Sequence, residues 1–554
     1  MMSRQENQTK RTVEEELQPP MHDSIPQETS RFGPAAMSVL LSRLADPDLA
    51  WPVIHVAGTN GKGTVSAAVA TLLASTGLRV GLFTSPHLLT RRERFRILMG
   101  GSERDQAASL AKELGGFPAP AYGRLLPQDL NSFEDNEDAG RLTGPHEDGG
   151  SASKSLSRAG QQSASSDIIF ELWPTEETLG RLILPIQKAA QGIPNAGKLT
   201  YFEEMTALAC LWFKECACDC CVFEVGLGGA LDATNALRSS KIAVLTSIGR
   251  DHENLLGHDL ATIANTKAGI INGRTTAVFL YPPDLLAEAQ KDRERVEKAI
   301  LCRAEQFNLQ VAVPDLGPGA ERAGFDLLNR RLAVAIFQKL VLKNWAHLFP
   351  GGQATAKSNQ SAFRTRADRL VSRLRWAGRL SKLHQEPPVI FDGAHNPAAM
   401  RALVNYIPSF LTRLYADKEG ATGRSSEKAP PAERLRLHLV PGFLADKNWE
   451  QMAQFLYSLS DQFHLRIYCV TPQSDRALPA ERAAAFFEQL FSASKNRYNS
   501  LDITHCHHLT EALKKALMKA GQTEPVFICG SLYMYEEALQ AVAECFREDK
   551  LELG

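Results

Sequence analysis

The stretch Val53-Ile54-His55-Val56-Ala57-Gly58-Thr59-Asn60-Gly61-Lys62-Gly63-Thr64 decides the fold. Its first half is short, apolar and β-branched, the pattern of a buried strand. A glycine-rich turn follows, and from Thr64 to Ser75 alanine, valine and leucine predict a helix. Glycines let a backbone wrap closely around an anion, and the turn's N–H groups and the helix N-terminus supply partial positive charge. In such a loop Lys62 reaches the β and γ phosphates of a nucleotide and Thr64 offers a hydroxyl to Mg²⁺. The match to G-x-x-x-x-G-K-[ST] is imperfect, because the first glycine comes two residues late and Gly63 separates Lys62 from the hydroxyl residue. On pattern alone, a plain strand-to-helix turn stays open beside nucleotide binding.

Outward from this unit the same alternation repeats. Residues 53–56, 80–83, 222–225, 242–246, 277–280, 389–391, 438–441, 467–470 and 526–529 read as buried strands, with helical patterns such as Asn448 to Leu459 in the intervals. Strand and helix in alternation mean parallel sheets with crossover helices, an α/β protein. Three segments break the pattern. Glu134 to Asp167 is rich in Gly, Ser, Asp and Glu and reads as a disordered insert, since it buries too little apolar surface to offset its ordering entropy. Gly351 to Arg369 and Asp417 to Arg434 read as surface loops. The organisation that follows is a tail over 1–31, one domain over 32–370 and a second over 371–554.

The 554 residues hold 62 Lys and Arg against 63 Asp and Glu, so no overall charge is available for a polyanion or an anionic membrane. Nucleic acid and membrane are therefore not expected partners, and no apolar run approaches the length of a membrane helix. Residues 1–31 carry no secretory apolar segment, and Glu14, Glu15 and Glu16 speak against a mitochondrial presequence. Ten cysteines without a small-domain framework fit a reducing compartment, so the expected location is the cytoplasm, with a mitochondrial pool as the alternative.

The shortened phosphate loop resembles that of the Mur ligase superfamily, and GTNGKGT is similar to its folylpolyglutamate and dihydrofolate synthase branch. Further segments resemble that branch in the same order. They are Thr84-Ser85-Pro86-His87-Leu88 with Arg92-Glu93-Arg94, Thr200-Tyr201-Phe202-Glu203, Glu224 to Gly229, Leu231 to Asn235, Thr246 to Gly249 with Asp251-His252, and Lys267 to Ile270. Trp376 with Gly378 to Leu380, Asp392 to Pro397, Gly442 to Lys447 and Gly530 to Tyr533 complete the set. The likeness spans about Phe32 to Glu536.

The resemblance implies a P-loop ATPase domain with a central, mostly parallel sheet and a smaller Rossmann-like α/β domain, acting as a monomeric ATP-dependent C–N ligase. By resemblance Gly58, Thr59, Asn60, Gly61, Lys62, Gly63 and Thr64 hold the phosphates. Thr64, Ser85, Glu224 and His252 hold Mg²⁺, two ions in all, with K⁺ as a further ion. For Glu224 the plain alternative is the polar end of a strand, and for His252 a structural histidine. Lys267 matches a lysine that is carbamylated in much of the superfamily, which turns a cation into an anion; the alternative is an ordinary helix lysine. Arg379 and Asp392 match an arginine on the ATP phosphates and an aspartate on the ribose, Asn329 an asparagine near the adenine, and His395 with Ser531 residues near the incoming glutamate.

The small-molecule partners implied are ATP, L-glutamate and either dihydropteroate or a folate. Asn60, the GFLADK segment at 442–447, and Thr200, Phe202, Asp232 and Ala233, which match a pterin site, favour dihydropteroate. The nearest alternatives are extension of folate polyglutamate tails, or both activities, and a remote one is a P-loop switch that ligates nothing. Phe202 also reads as ordinary core. Ala230 and Arg250 depart from the branch's usual arginine and leucine. Cys216, Cys218, Cys220 and Cys221 lack a second pair at zinc spacing and read as buried or loop thiols, and His505-Cys506-His507-His508 as a strand end.

Overall fold

The computed structural model describes residues 33–100, 116–118, 169–193, 199–239, 241–286, 288–320, 324–342, 360–422, 436–493, 501–521 and 523–548. The expected tail at 1–31 and insert at 134–167 lie outside the described residues, as do 351–359 and 423–434 of the two expected loops.

Fifteen strands are described, in two sheets. The first sheet contains β1 (Val53–Ala57), β2 (Val80–Phe83), β3 (Phe95–Gly100), β4 (Gly116–Pro118), β5 (Ile169–Pro174), β6 (Cys220–Glu224), β7 (Lys241–Leu245), β8 (Thr275–Leu280) and β9 (Val311–Ala312). Their order is β4-β5-β3-β2-β6-β1-β7-β8-β9. From β2 to β9 all neighbours are parallel, whereas β3, β5 and β4 extend the sheet as antiparallel strands. The second sheet contains β10 (Ser381–His384), β11 (Val389–Asp392), β12 (Arg436–Pro441), β13 (His464–Val470), β14 (Leu501–Cys506) and β15 (Val526–Cys529), in the order β10-β11-β15-β12-β13-β14. Only the β10–β11 pair is antiparallel. This is a two-domain α/β architecture, and all nine strands read from the sequence are present.

The helix Lys62–Ala74 sits where its composition requires. Every residue from Thr64 to Ala74 is buried, so it lies wholly inside, within one core with β1, β6 and β7 and the helices Phe325–Leu342 and Gln360–Arg373. The opposite face of the sheet is aromatic: Trp51 stacks on Phe223 at 5.5 Å, and Phe83, Phe95, Trp212 and Phe213 fill the space beneath the helix Tyr201–Glu215. The glycine-rich loop after β1 therefore springs from a strand covered on both faces.

Two expectations need correction. The segment 351–369 is not wholly a loop, because a helix runs from Gln360 to Arg373. Ala367, Leu370, Val371 and Leu374 repeat at helical spacing and are buried in the first domain's core, which outweighs the polar composition around them. Likewise Asp417 to Thr422 continues the helix Pro397–Thr422. The antiparallel extension was not anticipated: β3 and β5 carry Arg96 and Glu171, which interrupt the apolar run yet pair inside the sheet at 3.3 Å.

Candidate active site

The C-terminal ends of β6, β1 and β7 lie side by side, the edge where open parallel sheets place ligands, and the turn after β11 meets the loop after β1 where Asn396 bonds Asn60. At the end of β1 the chain turns through Gly58 with φ 150° and Gly61 with φ 85°. A Cβ on Gly58 would lie 1.9 Å from Thr246 Oγ1, and one on Gly61 2.4 Å from Asn329 Oδ1. Glycine is thus demanded by both conformation and space. Thr59 fastens the loop to the strand end beyond β7: its Oγ1 donates to the Gly249 carbonyl at 2.9 Å and accepts from the Gly249 N–H at 3.0 Å. Lys62 folds back along the loop and its Nζ donates to the carbonyls of Gly58 (3.3 Å) and Thr59 (3.2 Å). Thr64 is buried in the first turn of the helix.

Glu224 ends β6 beside this loop, buried, with Oε2 accepting the Ser85 N–H at 3.0 Å. Burial raises its carboxyl from the ordinary value, while Lys62, the Ser85 amide, Arg379 and Arg94 pull it down. Lys267 is also buried, and its Nζ donates to the Gly58 carbonyl at 2.8 Å. Burial, with Lys62 nearby, brings its ammonium down to about 7. His252 stands in left-handed backbone (φ 52°) and burial holds its imidazole at about 3, that is, neutral.

The second domain supplies the other wall. Asp392 ends β11 and accepts the N–H groups of Leu380 and Ala394, both at 2.9 Å, fixing the turn that carries Arg379. Burial raises its carboxyl, opposed first by Arg379. His395 donates Nδ1–H to the Gly393 carbonyl at 2.8 Å, which leaves Nε2 facing Asp251 at 3.8 Å, and burial keeps it neutral with a value of about 4. Ser531 is buried and caps the turn after β15 by accepting the Tyr533 N–H at 3.2 Å. The adjacent Leu532 packs against Gly393.

Sequence reasoning assigned no role to three residues that tie these walls together. Asp251 accepts from Lys447 Nζ at 2.7 Å and from Asn396 Nδ2 at 2.9 Å. Asn396 also exchanges hydrogen bonds of 3.0 and 3.3 Å with Asn60 in the phosphate loop. Its cationic and imidazole neighbours hold the Asp251 carboxyl far below the usual carboxylate range against the opposing effect of burial. The only hint in the sequence was that all three fall inside the quoted motifs.

No protein-family profile matches the chain. It is 26% identical over 533 residues to a protein of Haloferax volcanii named probable bifunctional folylpolyglutamate synthase/dihydropteroate synthase, covering 91% of this chain and 48% of that protein. It thus spans about half the length of that curated relative. The dihydrofolate synthase/folylpolyglutamate synthase of Escherichia coli K12 is 27% identical over 523 residues, covering 94% of this chain and 93% of the relative. The bifunctional synthase of Yersinia pestis, solved with AMPPNP and Mn ion, superposes with a TM-score of 0.59 at 21% identity, over 94% of this chain and 96% of that one. The chain is thus similar over most of its length to dihydrofolate synthase/folylpolyglutamate synthases and shares their two-domain fold.

The relatives carry synthase names, which favours the ligase reading over the remote one of a nucleotide switch. The residues present suit a nucleotide and a hard cation. Asn329 Oδ1, over Gly61, is buried without a hydrogen-bond partner, an acceptor placed for an amino or hydroxyl group. Among the described residues no three His, Cys, Asp or Glu side chains gather as a metal cage. Mg²⁺ needs none, being held commonly by one or two carboxylates, waters and substrate phosphates. The cysteines at 216, 218, 220 and 221 are buried, and burial raises the thiols of Cys216, Cys220 and Cys221, the opposite of a thiolate metal site. Among the described residues no helix is long and apolar enough to cross a membrane.

The four residues matched to a pterin site form a neighbouring group. Thr200 caps the helix Tyr201–Glu215 through a reciprocal pairing with Glu203. Phe202 lies with its ring against Gly226 and 5.7 Å from Phe83. Asp232 gathers the loop after β6, accepting from the N–H groups of Leu227 (2.9 Å) and Thr234 (3.0 Å), and burial raises its carboxyl. Ala233 is buried beside it.

Proposed function

We infer that the chain joins L-glutamate to dihydropteroate with ATP, giving dihydrofolate, ADP and phosphate. The observation that carries this reading is the buried carboxylate of Glu224, within electrostatic reach of Lys62 from the phosphate loop and of Arg379 from the other domain. Two cations from opposite walls around one carboxylate make a site for a transferring phosphoryl group and its metal. In this reading Gly58 to Thr64, Asn329, Arg379 and Asp392 bind ATP. Asp392 has two carboxylate lone pairs left for a ribose after serving two amides. Thr64, Ser85, Glu224 and His252 hold Mg²⁺, which when bound neutralises charge on the phosphates.

The pteroate carboxylate attacks the γ-phosphorus, the bond to the bridging oxygen breaks and ADP leaves. The glutamate amine then attacks the acyl carbon, phosphate departs, and the nitrogen loses a proton. In this reading His395, neutral and with Nε2 free of its backbone bond, takes up that proton. Ser531 serves glutamate, and Thr200, Phe202, Asp232 and Ala233 serve the pterin. Lys267, with its ammonium lowered to about 7, is substantially an amine at neutral pH. Its lone pair attacks CO₂, a N–C bond forms as one C–O π bond opens, the nitrogen's proton passes to solvent, and the product is a carbamate anion. The division of the chain into 32–370 and 371–554 belongs to the same reading.

The test is a product assay with ATP and glutamate, offering dihydropteroate or tetrahydrofolate. Formation of dihydrofolate supports the reading. Glutamylation of tetrahydrofolate alone would replace it with tail extension, and product from both would make the chain bifunctional.

A further inference from the structure

Four polar side chains that no chemical step uses lie between the two domains. Asn396 is almost wholly buried and saturated: Nδ2 donates to Asn60 Oδ1 (3.0 Å) and Asp251 Oδ2 (2.9 Å), while Oδ1 accepts from the Ala399 N–H (2.8 Å) and Asn60 Nδ2 (3.3 Å). An asparagine side chain offers two donors and two lone pairs, so none is left over. The orientation is also fixed, because exchanging its oxygen and nitrogen would set an oxygen against the Asp251 carboxylate. Asn60 is tied in turn, its carbonyl accepting from Ser247 Oγ at 3.2 Å. On the other side Asp251 Oδ1 takes Lys447 Nζ at 2.7 Å, with side-chain exposures of 7% and 11%. The same carboxylate lies 3.8 Å from His395 Nε2 and 3.9 Å from His252 Nε2.

A buried ion pair adds little net stability over an apolar pair of similar size, whereas it fixes register where a partner's position matters. Here the register is that of the phosphate loop against His395. We propose that Lys447 and Asn396 are positioning residues, which with Asp251 and Asn60 form an interdomain latch aligning His395 with the phosphate loop for acyl transfer. The latch rests on the ligase reading for its kinetic consequence but not for its existence.

The variants are Lys447→Met, which removes the ammonium and keeps the stem, and Asn396→Ser. Serine remains a good helix cap but is too short to bridge Asn60 and Asp251. Each should lower kcat by about 100-fold, the effect of misplacing a reacting group by about 1 Å, with KM for ATP little changed. The double variant should be scarcely worse than the poorer single, since both open one latch. Lys447→Arg should recover most of the lost kcat. Hydrogen exchange on the substrate-free protein should quicken in both variants at 58–64 and 396–400 together, and not elsewhere. Unchanged kcat with unchanged exchange overturns the latch, as does faster exchange throughout the protein, which marks a general structural role. If the wild type ligates no glutamate, the ligase reading fails, and the exchange comparison still decides whether the latch exists.

Discussion

Gly58→Ala tests whether the phosphate loop works through its backbone path. The added Cβ would lie 1.9 Å from Thr246 Oγ1, 3.0 Å from Thr246 Cβ and 3.2 Å from the Thr246 carbonyl carbon. Real Cβ contacts hardly ever fall below 3.0 Å, so the loop must move by roughly 1 Å. Turning the Thr246 side chain removes only part of the overlap, and its hydroxyl is bonded to the Ala57 carbonyl at 3.2 Å. A shift of that size costs about 100-fold in turnover, and a non-glycine residue at φ 150° adds strain of about 1–3 kcal/mol. Thr246→Ala in the same protein deletes the atom at 1.9 Å and leaves the one at 3.0 Å. The double variant should therefore recover to about tenfold below wild type, the residue being backbone strain. Ligation rates and nucleotide affinity are measured on the wild type, Gly58→Ala, Thr246→Ala and the double variant, with melting temperature as a check on folding. Near-normal turnover of Gly58→Ala would refute the reasoning. Absence of recovery in the double variant would show that steric overlap is not the cause.

Lys62→Ala should abolish turnover while the protein keeps its circular dichroism and melting transition, and appreciable residual activity would remove the phosphate-loop assignment. Lys267 gives a pH prediction. Its pKa falls from 10.5 in the unfolded chain to about 7 in the fold, so between these values the unfolded state holds a proton that the folded state lacks. Stability contributed through this group therefore rises with pH across that window, by about 2 kcal/mol at most from pH 7 to 9. In CO₂-depleted buffer, where the carbamate is absent, Lys267→Met should flatten the corresponding rise in urea midpoint, and equal rises in the two proteins would contradict the buried, deprotonated amine.

How much of this was legible in the sequence depends on what each element is made of. The nine strands read from apolar, β-branched runs are buried almost throughout, so their burial is written in nearly every residue. β3 and β5 were missed because they spend a position each on Arg96 and Glu171. Those charges are tolerated inside the sheet only because they meet each other, with the Arg96 guanidinium also 4.5 Å from the Trp376 ring. β10 and β14 are half-exposed edge strands and carry polar residues accordingly. The helix at Gln360–Arg373 had its signal in the spacing of Ala367, Leu370, Val371 and Leu374, hidden by a composition that reads as loop when spacing is ignored.

The site divides along the same line. The glycine-rich loop at 58–64 is local, since glycine, lysine and threonine within seven residues of one another carry its geometry with them. What joins the domains is not local: Lys447 lies 196 residues from Asp251, and Asn396 lies 336 from Asn60. No spacing rule links such pairs. The net charge of −1 hides them as well, because the Asp251 carboxylate and the Lys447 ammonium cancel in any sum over the chain, and the amide and two imidazoles beside them are uncharged. A sequence reports residue types, whereas the pKa of a group reports its neighbours. The histidines make the point: both would titrate near neutrality in water, yet His252 at about 3 and His395 at about 4 are held as neutral bases by burial. Both imidazoles are therefore uncharged throughout the physiological range, a state that their places in the fold confer and their positions in the motifs do not.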